Sequence, residues 1–471
     1  MNIKMNTRTE KDLLGYKEIP AHCYYGVQTL RAMENFNLSQ NKLSQFPVFI
    51  KALAMVKSAC AHANFKLNNL DENKNNAIQY ACQQILNNQY HDQFPIDMIQ
   101  GGAGTSTNMN INEVLANIGL EYLEHLKGEY QYLHPNNDVN MSQSTNDVYP
   151  TAIKVGLISA IDQLNTPFKN LIQSFKNKLD EFAHILKMGR TQLQDAVPMT
   201  LGQEFGAFAT TLQNDLNKLN QIMPDALSVV NLGGTAIGTG INTEVQYREY
   251  AIASLSEMTQ RNMSSAPDLI EATSDMGDFV LLSSLLKRTA IKLSKISNDL
   301  RLLSSGPRAG LNEIHLEPRQ PGSSIMPGKV NPVIPEAMNL VCFQVIANDL
   351  AITLAAEAGQ LQLNAMEPLI AFKLFESIDL LGKAMQMFQH KCIENIRANA
   401  EHCQALVENS IGIITALNPY LGYETTTRIA KKANESGQSV LALIKAENLL
   451  SEQILADVLA VNNMVQPKQC A

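Results

Sequence analysis

Residues 278–305 read DFVLLSSLLKRTAIKLSKISNDLRLLSS, and this stretch decides the fold class that we predict. Apolar side chains recur in it at alternating steps of four and three residues, with one polar member in the series. The recurring positions are Leu282, Leu286, Thr289, Leu293, Ile296, Leu300 and Leu303. A period of about 3.5 residues is typical of a long helix that packs along other helices. Gly306 and Pro307 then end the stretch, as a helix stop does.

Three more segments lack glycine and proline over lengths that suit long helices, namely residues 168–188, 208–223 and 336–357. Helices of roughly 20–28 residues exceed the usual globular length of about 11–12 residues. These segments therefore predict a mostly α protein with a central bundle of long helices. So many long helices have more apolar surface than one bundle covers, and we also expect the chain to form oligomers.

The distribution of these segments predicts three domains. Residues 1–143 mix polar loops with helices and form an N-terminal mixed, mainly helical domain. Residues 144–400 contain the long helices and form the central bundle domain. Residues 401–471, with shorter helices broken at Asn418 and Pro419, form a small C-terminal helical domain.

Composition and charge exclude several classes of protein. Of 471 residues, 45% are apolar and 17% are charged, and the net charge of -8 gives no basic face for nucleic acid. No apolar run of about 18 residues predicts a membrane span, and the N-terminus lacks the apolar core of a signal peptide. The seven cysteines form no C-x-x-C pair and the nine histidines show no metal-binding spacing. We therefore expect a cytoplasmic protein without a metal site, a nucleic-acid partner or a membrane partner.

Four polar loops stand out against the helical background, at residues 104–108, 144–146, 189–195 and 322–332. Each is rich in hydroxyls and amides, and each lies near the start of a predicted helical stretch. Helix N-termini hold carboxylates and phosphates well because their N–H groups are free. Ser, Thr and Asn that merely cap helices are the alternative for any one loop. Together with Lys329, the four loops predict anion recognition with few formal charges.

A further glycine-rich segment, GGTAIGTG at residues 233–240, has the look of a dinucleotide-binding loop. It lacks the third glycine at the required offset, and no strand–helix–strand pattern surrounds it. We therefore predict no cofactor at this segment.

The loop GSSIMPGKVNP at residues 322–332 resembles the signature loop of the fumarase/aspartase superfamily. The resemblance covers essentially the whole chain, including YYGVQTLRAMENF at 24–36, GGAGTSTNMN at 101–110 and EAGQLQLNAMEP at 357–368. These segments are more similar to the aspartase branch than to the fumarases. The resemblance implies a three-domain, mostly α subunit, four copies of which pack their central helices into a twenty-helix core.

For activity, the resemblance implies reversible anti elimination of ammonia from L-aspartate to give fumarate. Fumarases tend to carry a histidine where this chain has Gln192, although some aspartases carry a histidine there too. A fumarate hydratase of the same fold is therefore the first alternative. The second alternative is a helical structural protein without catalytic activity, and the intact Ser323, Lys329 and Asn331 argue against it.

The resemblance also implies roles for individual residues. Ser323 matches the general base, an alkoxide that removes the Cβ proton to give an aci-carboxylate intermediate, and Lys329 supplies one full cation. The residues that match the β-carboxylate contacts are Thr105, Ser144, Thr145 and Ser324. Those that match the α-carboxylate contacts are Thr191, Lys329 and Asn331, and those that match the amino-group contacts are Asn146 and Gln192. For Gln192, a purely structural amide remains the alternative.

The resemblance implies no required cofactor, and it leaves activation by a divalent cation open. The family's active sites are assembled from three subunits of the tetramer, so we expect a homotetramer with shared active sites. In this family the loop that carries the residue matching Ser323 closes over the substrate. Gly322 and Gly328 suit such a mobile loop.

Overall fold

The computed structural model describes residues 6–322 and 324–465, and most of them lie in α-helices. The first eight helices are α1 (Val27–Asn35), α2 (Pro47–Lys66), α3 (Glu72–Leu86), α4 (Thr105–Tyr122), α5 (Thr145–Glu181), α6 (Leu201–Ser228), α7 (Tyr247–Thr259) and α8 (Glu271–Ser274). The others are α9 (Gly277–Leu303), α10 (Val333–Glu357), α11 (Glu367–Lys391), α12 (Ala400–Asn409), α13 (Ile414–Ser436), α14 (Val440–Ala446), α15 (Glu452–Val458) and α16 (Val461–Val465).

The strands of the described residues pair into small two-stranded sheets. They are β1 (Thr7–Asp12), β2 (Gly15–Pro20), β3 (Leu186–Thr191), β4 (Gln194–Thr200), β5 (Val229–Val230), β6 (Ser264–Ser265), β7 (Ile314–His315) and β8 (Arg397–Ala398). The pairs β1–β2, β3–β4 and β7–β8 are antiparallel, and β5–β6 is parallel. The sheets are therefore local features of a helical protein.

The described residues divide into two compact units. The first unit comprises the residues up to Asn165 together with Asn217–Arg288 and Gln344–Leu380. The second unit comprises Thr166–Leu216, Thr289–Phe343 and the residues from Leu381 onward. The three-domain division at residues 1–143, 144–400 and 401–471 stays a prediction.

Long helices dominate the structure, as the sequence predicts. In the described part of the chain, five helices have 25 residues or more: α5, α6, α9, α10 and α11. The repeat that predicted α9 is buried, since each of its apolar members is at most 5% exposed. The apolar period of about 3.5 residues is therefore the buried seam of a long helix.

The longest helix, α5, begins much earlier than predicted. The sequence predicts a helix over residues 168–188, but α5 has 37 residues, starts at Thr145 and continues through Pro150 and Pro167. A proline inside a helix costs about 3 kcal/mol, and a well-packed helix tolerates that cost. Phe168 and Phe175, which follow the second proline, are buried. The far end of the prediction is also wrong, because residues 186–188 belong to β3.

The C-terminal helices pack around a core of their own within the second unit. Ile413, Leu417, Ile429 and Leu443 are buried there, together with Leu186 from β3. The predicted break at Asn418 and Pro419 is wrong, because α13 continues through both residues. The helical path is interrupted instead at Gly422, whose φ of 75° is left-handed. Glycine adopts that conformation without the steric cost that a Cβ imposes.

Candidate active site

Two helix N-termini come together in the first unit, and both carry predicted site residues. Thr105 is the first residue of α4, and Thr145 is the first residue of α5. Gly104 caps α4 with a φ of 89°, and a Cβ added to it would lie 2.5 Å from the ring of Tyr149 on α5. Glycine at this position therefore permits the close approach of the two helix starts.

Ser144 caps α5 and completes this group of neutral donors. Its Oγ accepts a bond from the backbone N–H of Asn146 at 3.2 Å, and its own N–H donates to Asp147 Oδ1 at 3.0 Å. The first turn of a helix has free N–H groups and a partial positive charge. The hydroxyls of Ser144 and Thr145 therefore lie where a carboxylate is favoured.

The glycine-rich loop at residues 233–240 binds a carboxylate of the protein itself. The backbone N–H groups of Gly233 and Thr235 each donate to Asp147 Oδ2 at 3.0 Å. Burial raises the pKa of Asp147 to about 6, and these donors oppose that rise. Sequence reasoning missed this role because Gly233 and Asp147 lie 86 positions apart.

The same loop orients Asn146, a predicted contact of the substrate amino group. Asn146 Nδ2 donates to the carbonyl oxygen of Ala236 at 2.8 Å. Because the amide nitrogen is engaged in this way, Oδ1 is the atom that can accept a bond from an ammonium group.

A buried lysine lies behind the two helix starts, and sequence reasoning missed it as well. Lys57 on α2 is 1% exposed, and its Nζ donates to three amide oxygens. They are Asn108 Oδ1 at 2.6 Å, Asn140 Oδ1 at 2.9 Å and Gln143 Oε1 at 2.7 Å. Burial lowers the pKa of Lys57 to about 7. When it is protonated, Lys57 thus places a positive charge behind the predicted β-carboxylate contacts, bonded to three amide oxygens of the described residues.

A cavity of about 720 Å³ opens beside Thr105 in the first unit. Its wall also contains Lys11, Glu113 and His134. Burial raises the pKa of Glu113 to about 7, against the hydrogen bond from Thr29 that lowers it. The cavity therefore presents titratable groups next to one of the predicted β-carboxylate contacts.

Thr191 and Gln192 lie in the β3–β4 hairpin of the second unit, and β4 separates this predicted loop from the start of α6. Thr191 pairs with Gln194, which leaves Gln192 and Leu193 as a two-residue turn. Their φ angles are 53° and 62°, a left-handed conformation that Gly, Asn and Asp adopt more readily. Strain of this kind tends to occur at functional positions, and here it falls on a predicted site residue.

A buried ion cluster holds the base of this hairpin. Arg190 Nη1 donates to Glu313 Oε1 at 2.6 Å, and Lys187 Nζ lies 3.0 Å from Glu313 Oε2. Glu313 is fully buried, and Lys187 also pairs with Glu204 at 2.6 Å. Two cations thus compensate the buried carboxylate of Glu313. Removal of either cation would leave that charge partly unpaired and would destabilise the fold.

The signature loop at residues 322–332 precedes α10 in the second unit. Ser324 and Lys329 are exposed, and Asn331 is half-buried. A Cβ added at Gly322 would overlap the carbonyl oxygen of Lys329, so the two ends of the loop approach each other at a glycine. Ser323, the predicted general base, lies outside the described residues.

The predicted site residues are thus divided between the two units. Thr105, Ser144, Thr145 and Asn146 belong to the first unit, and the structure gathers them at two adjoining helix starts. The described residues of the second unit include Thr191, Gln192, Ser324, Lys329 and Asn331. Within the second unit, the hairpin and the signature loop are separate segments.

Comparison with known proteins places this architecture in a family. A family model described as "Lyase" matches residues 15–347, and a second one, "Fumarase C C-terminus", matches residues 413–466. The aspartate ammonia-lyase of Pseudomonas aeruginosa is 63% identical over 463 residues, which cover 98% of each chain.

Solved structures agree with these sequence matches. The crystal structure of a fumarate lyase:delta crystallin from Brucella melitensis bound to cobalt is 53% identical and superimposes with a TM-score of 0.95, covering 98% of this chain and all of the other. A class II fumarase from Schistosoma mansoni is 33% identical, with a TM-score of 0.90 and 98% of each chain covered. The chain therefore belongs to the lyase family, among relatives that include the aspartate ammonia-lyases.

Proposed function

We propose that this protein catalyses the reversible anti elimination of ammonia from L-aspartate to give fumarate. The observation that carries the proposal is its 63% identity, over 98% of both chains, to a protein named aspartate ammonia-lyase. The similarity to a class II fumarase is lower, at 33% identity. Gln192 also favours amine elimination, because ammonia leaves more readily than hydroxide and needs no strong general acid.

The chemical difficulty of this reaction is the weak acidity of the Cβ proton next to a carboxylate. Removing it creates a dianionic aci-carboxylate, which must be stabilised as the charge develops. In our proposal the hydroxyls of Thr105, Ser144, Thr145 and Ser324 receive the β-carboxylate. The two helix N-termini of the first unit add N–H groups and partial positive charge to three of these contacts.

The remaining roles follow the same proposal. Thr191, Lys329 and Asn331 hold the α-carboxylate, and Asn146 Oδ1 and Gln192 contact the amino group. Ser323 removes the Cβ proton as an alkoxide, assisted by nearby positive charge that includes Lys329. An aliphatic hydroxyl is less acidic than tyrosine, whose pKa is about 10, so this activation is essential.

A direct assay tests the function. The purified protein is incubated separately with L-aspartate and with L-malate, and fumarate is followed by its ultraviolet absorbance. We expect fumarate from L-aspartate. Fumarate from L-malate alone would establish the hydratase instead, and no turnover of any dicarboxylate would support a structural protein.

Ser323→Ala should keep aspartate binding and lose turnover, and near-normal turnover would remove Ser323 from the role of base.

We further propose a homotetramer with a twenty-helix core and shared active sites. An exposed apolar stripe along α10 supports it: Leu340 is 67% exposed, Phe343 55%, Leu350 61% and Leu354 60%. Their spacing of three, seven and four residues keeps them on one helix face. Among the described residues, α10 is also the one helix apolar and long enough to cross a membrane, a test that core helices of soluble proteins pass too. Burial against other copies of the chain would remove this stripe from water.

Two further features belong to this proposal. The reaction as written uses general-base chemistry and requires no cofactor, so extensive dialysis against a chelator should leave turnover on L-aspartate intact. Loss of activity that a divalent cation restores would identify the cation as an activator. We place the protein in the cytoplasm, which the free, buried thiols of Cys23, Cys60, Cys82, Cys342, Cys392 and Cys403 support.

A further inference from the structure

The buried amine of Lys57 determines how the amide groups around it are oriented. In its protonated form Lys57 carries an ammonium group, which has three hydrogens to donate and no lone pair to accept a bond. Each of its three neighbours must therefore present an oxygen: Asn108 Oδ1, Asn140 Oδ1 and Gln143 Oε1. The orientation of a buried amide is often ambiguous, but here the protonated lysine leaves one choice.

This orientation makes Asn108 a donor on its other side. Asn108 Nδ2 lies 3.1 Å from Asn140 Oδ1 and 3.1 Å from Thr145 Oγ1. Because an amide nitrogen carries hydrogens and has no free lone pair, both contacts are donations from Asn108. Thr145 Oγ1 therefore accepts a bond from within the protein.

A hydroxyl that accepts one internal bond retains its own hydrogen for another partner. Among the residues that the structure describes, none accepts a hydrogen bond from the hydroxyl of Thr145. Thr105 differs, since its hydroxyl donates to the carbonyl oxygen of Gly102 at 2.8 Å. Of these two threonines at the helix starts, Thr145 can donate to a ligand as it stands, whereas Thr105 must first release the carbonyl oxygen of Gly102.

We propose that Lys57 is a positioning residue that acts through Asn108 to aim the hydroxyl hydrogen of Thr145 at the bound β-carboxylate. The inference rests on the proposed function, because it takes Thr145 to contact that carboxylate. Lys57 touches neither substrate nor reacting atoms. Its contribution is preorganisation: the donor already points at the oxygen on which charge develops, and no reorientation is needed during the reaction.

Replacing one amide by a carboxylate tests the direction of these bonds. In Asn108→Asp the new carboxylate still accepts from Lys57, but it cannot donate to Thr145. Thr145 must then donate to residue 108 and turn a lone pair toward the ligand. We expect at least about a tenfold increase in the inhibition constant of succinate, with KM for L-aspartate raised and kcat lowered.

Asn140→Asp is the matched control, because it adds the same charge beside the same lysine. It keeps the acceptor for Lys57 and leaves the bond from Asn108 to Thr145 in place. What it loses is the 3.3 Å contact from Asn140 Nδ2 to the Gln143 carbonyl oxygen. We expect its succinate inhibition constant within about threefold of wild type, since the directed bond survives. Equal losses in the two variants would overturn the proposal.

A second experiment avoids added charge and applies even if Asn108→Asp does not fold. The effect of Asn108→Ala on succinate inhibition or binding is compared in the wild-type and Thr145→Val backgrounds. The proposal requires about a fivefold or larger loss in wild type and less than about a twofold loss in the Thr145→Val background, because the hydroxyl is then absent. The same loss in both backgrounds, or no loss in wild type, overturns it.

These outcomes are separable from failure of the proposed function. Turnover of L-aspartate by the wild-type enzyme tests the function, whereas the two comparisons above measure ratios of dicarboxylate binding between variants. A protein that binds succinate without converting L-aspartate would refute the function and still decide the role of Lys57.

Discussion

Gly104 allows the start of α4 to pack closely against α5 because it has no side chain. The residue has a left-handed φ of 89°, and the Tyr149 ring occupies the space that a Cβ needs. A non-glycine residue in this conformation costs about 1–2 kcal/mol before any clash is counted. The position of Thr105, the next residue, depends on this contact.

We predict that Gly104→Ala lowers kcat/KM for L-aspartate by about tenfold or more, because it displaces Thr105 from the second helix start. Gly102→Ala is the control. Its φ of 94° imposes a similar backbone strain, but a Cβ there would lie 3.9 Å from the Thr105 side chain, an ordinary contact. Kinetics and thermal unfolding of both variants test this, and equal losses of activity would show that strain alone is responsible.

Lys57 should give the stability of the protein a distinct pH dependence. Its pKa is lowered to about 7 by burial, whereas an unfolded lysine titrates near 10.4. Between these values the unfolded chain binds more protons, so this group makes stability rise with pH by at most about 1.4 kcal/mol per unit. The three amide acceptors reduce the effect. The midpoint of thermal unfolding should therefore rise from pH 6.5 to 8.5 in wild type relative to Lys57→Met, and parallel curves would contradict this.

A site residue can be predicted from the sequence when the residues next to it in the chain already mark its position as unusual. Thr105 and Thr145 stand in polar, glycine- or proline-marked loops that any reading of the sequence singles out. Lys57 stands inside an amphipathic helix, where a lysine is normally solvated. Its partners lie 51 to 86 positions away, so only the folded chain reveals the cluster.

At the scale of elements, the β3–β4 hairpin shows what the loop pattern cannot reveal. The sequence predicts a polar loop near the start of a helical stretch, and the structure has a tight turn with left-handed Gln192 and Leu193 between two strands. Neither residue is one that such turns prefer, so turn chemistry was invisible in the sequence. The helix α9 was predictable because its apolar period is sustained, and α5, α6 and α10 were predictable in part from segments that lack glycine and proline. Their ends were not, because packing carries α5 through two prolines.

The strain at this turn can be measured at Leu193, which is 70% exposed. Asn adopts the left-handed conformation more readily than Leu, so Leu193→Asn should stabilise the protein by about 0.5–1 kcal/mol. Leu193→Ala removes the same exposed side chain and keeps the strain, and it should give no such gain. Thermal unfolding distinguishes the two, and equal behaviour would show that the turn is unstrained.

At the scale of the whole molecule, the exposed stripe on α10 sets the expected assembly. A single leucine is worth about 1.5–3 kcal/mol on burial, and the stripe repeats in every copy of the chain. Leu350→Glu combined with Leu354→Glu should therefore dissociate the proposed tetramer into helical subunits without activity. Light scattering, circular dichroism and the aspartate assay measure these three properties.

Leu126→Glu is the control for that experiment, since Leu126 is 75% exposed but lies outside the long helices. It should leave both mass and turnover unchanged. Full activity in dissociated subunits of the α10 variant would contradict the proposal of shared active sites.

The glycine-rich loop that holds Asp147 has a consequence of its own. A loop whose two N–H groups donate to one carboxylate oxygen is a small anion-binding site, and here the bound anion is the side chain of Asp147. Asp147→Gly removes this carboxylate and should lower the unfolding temperature. Millimolar formate should restore part of that loss more effectively than chloride at equal ionic strength. Equal effects of the two salts would mean that the loop loses its anion-binding conformation when the Asp147 carboxylate is absent. Rescue by formate would instead show that the loop binds a free carboxylate in place of the Asp147 side chain. A small solute would then determine how stably the first turn of α5 is attached to this loop.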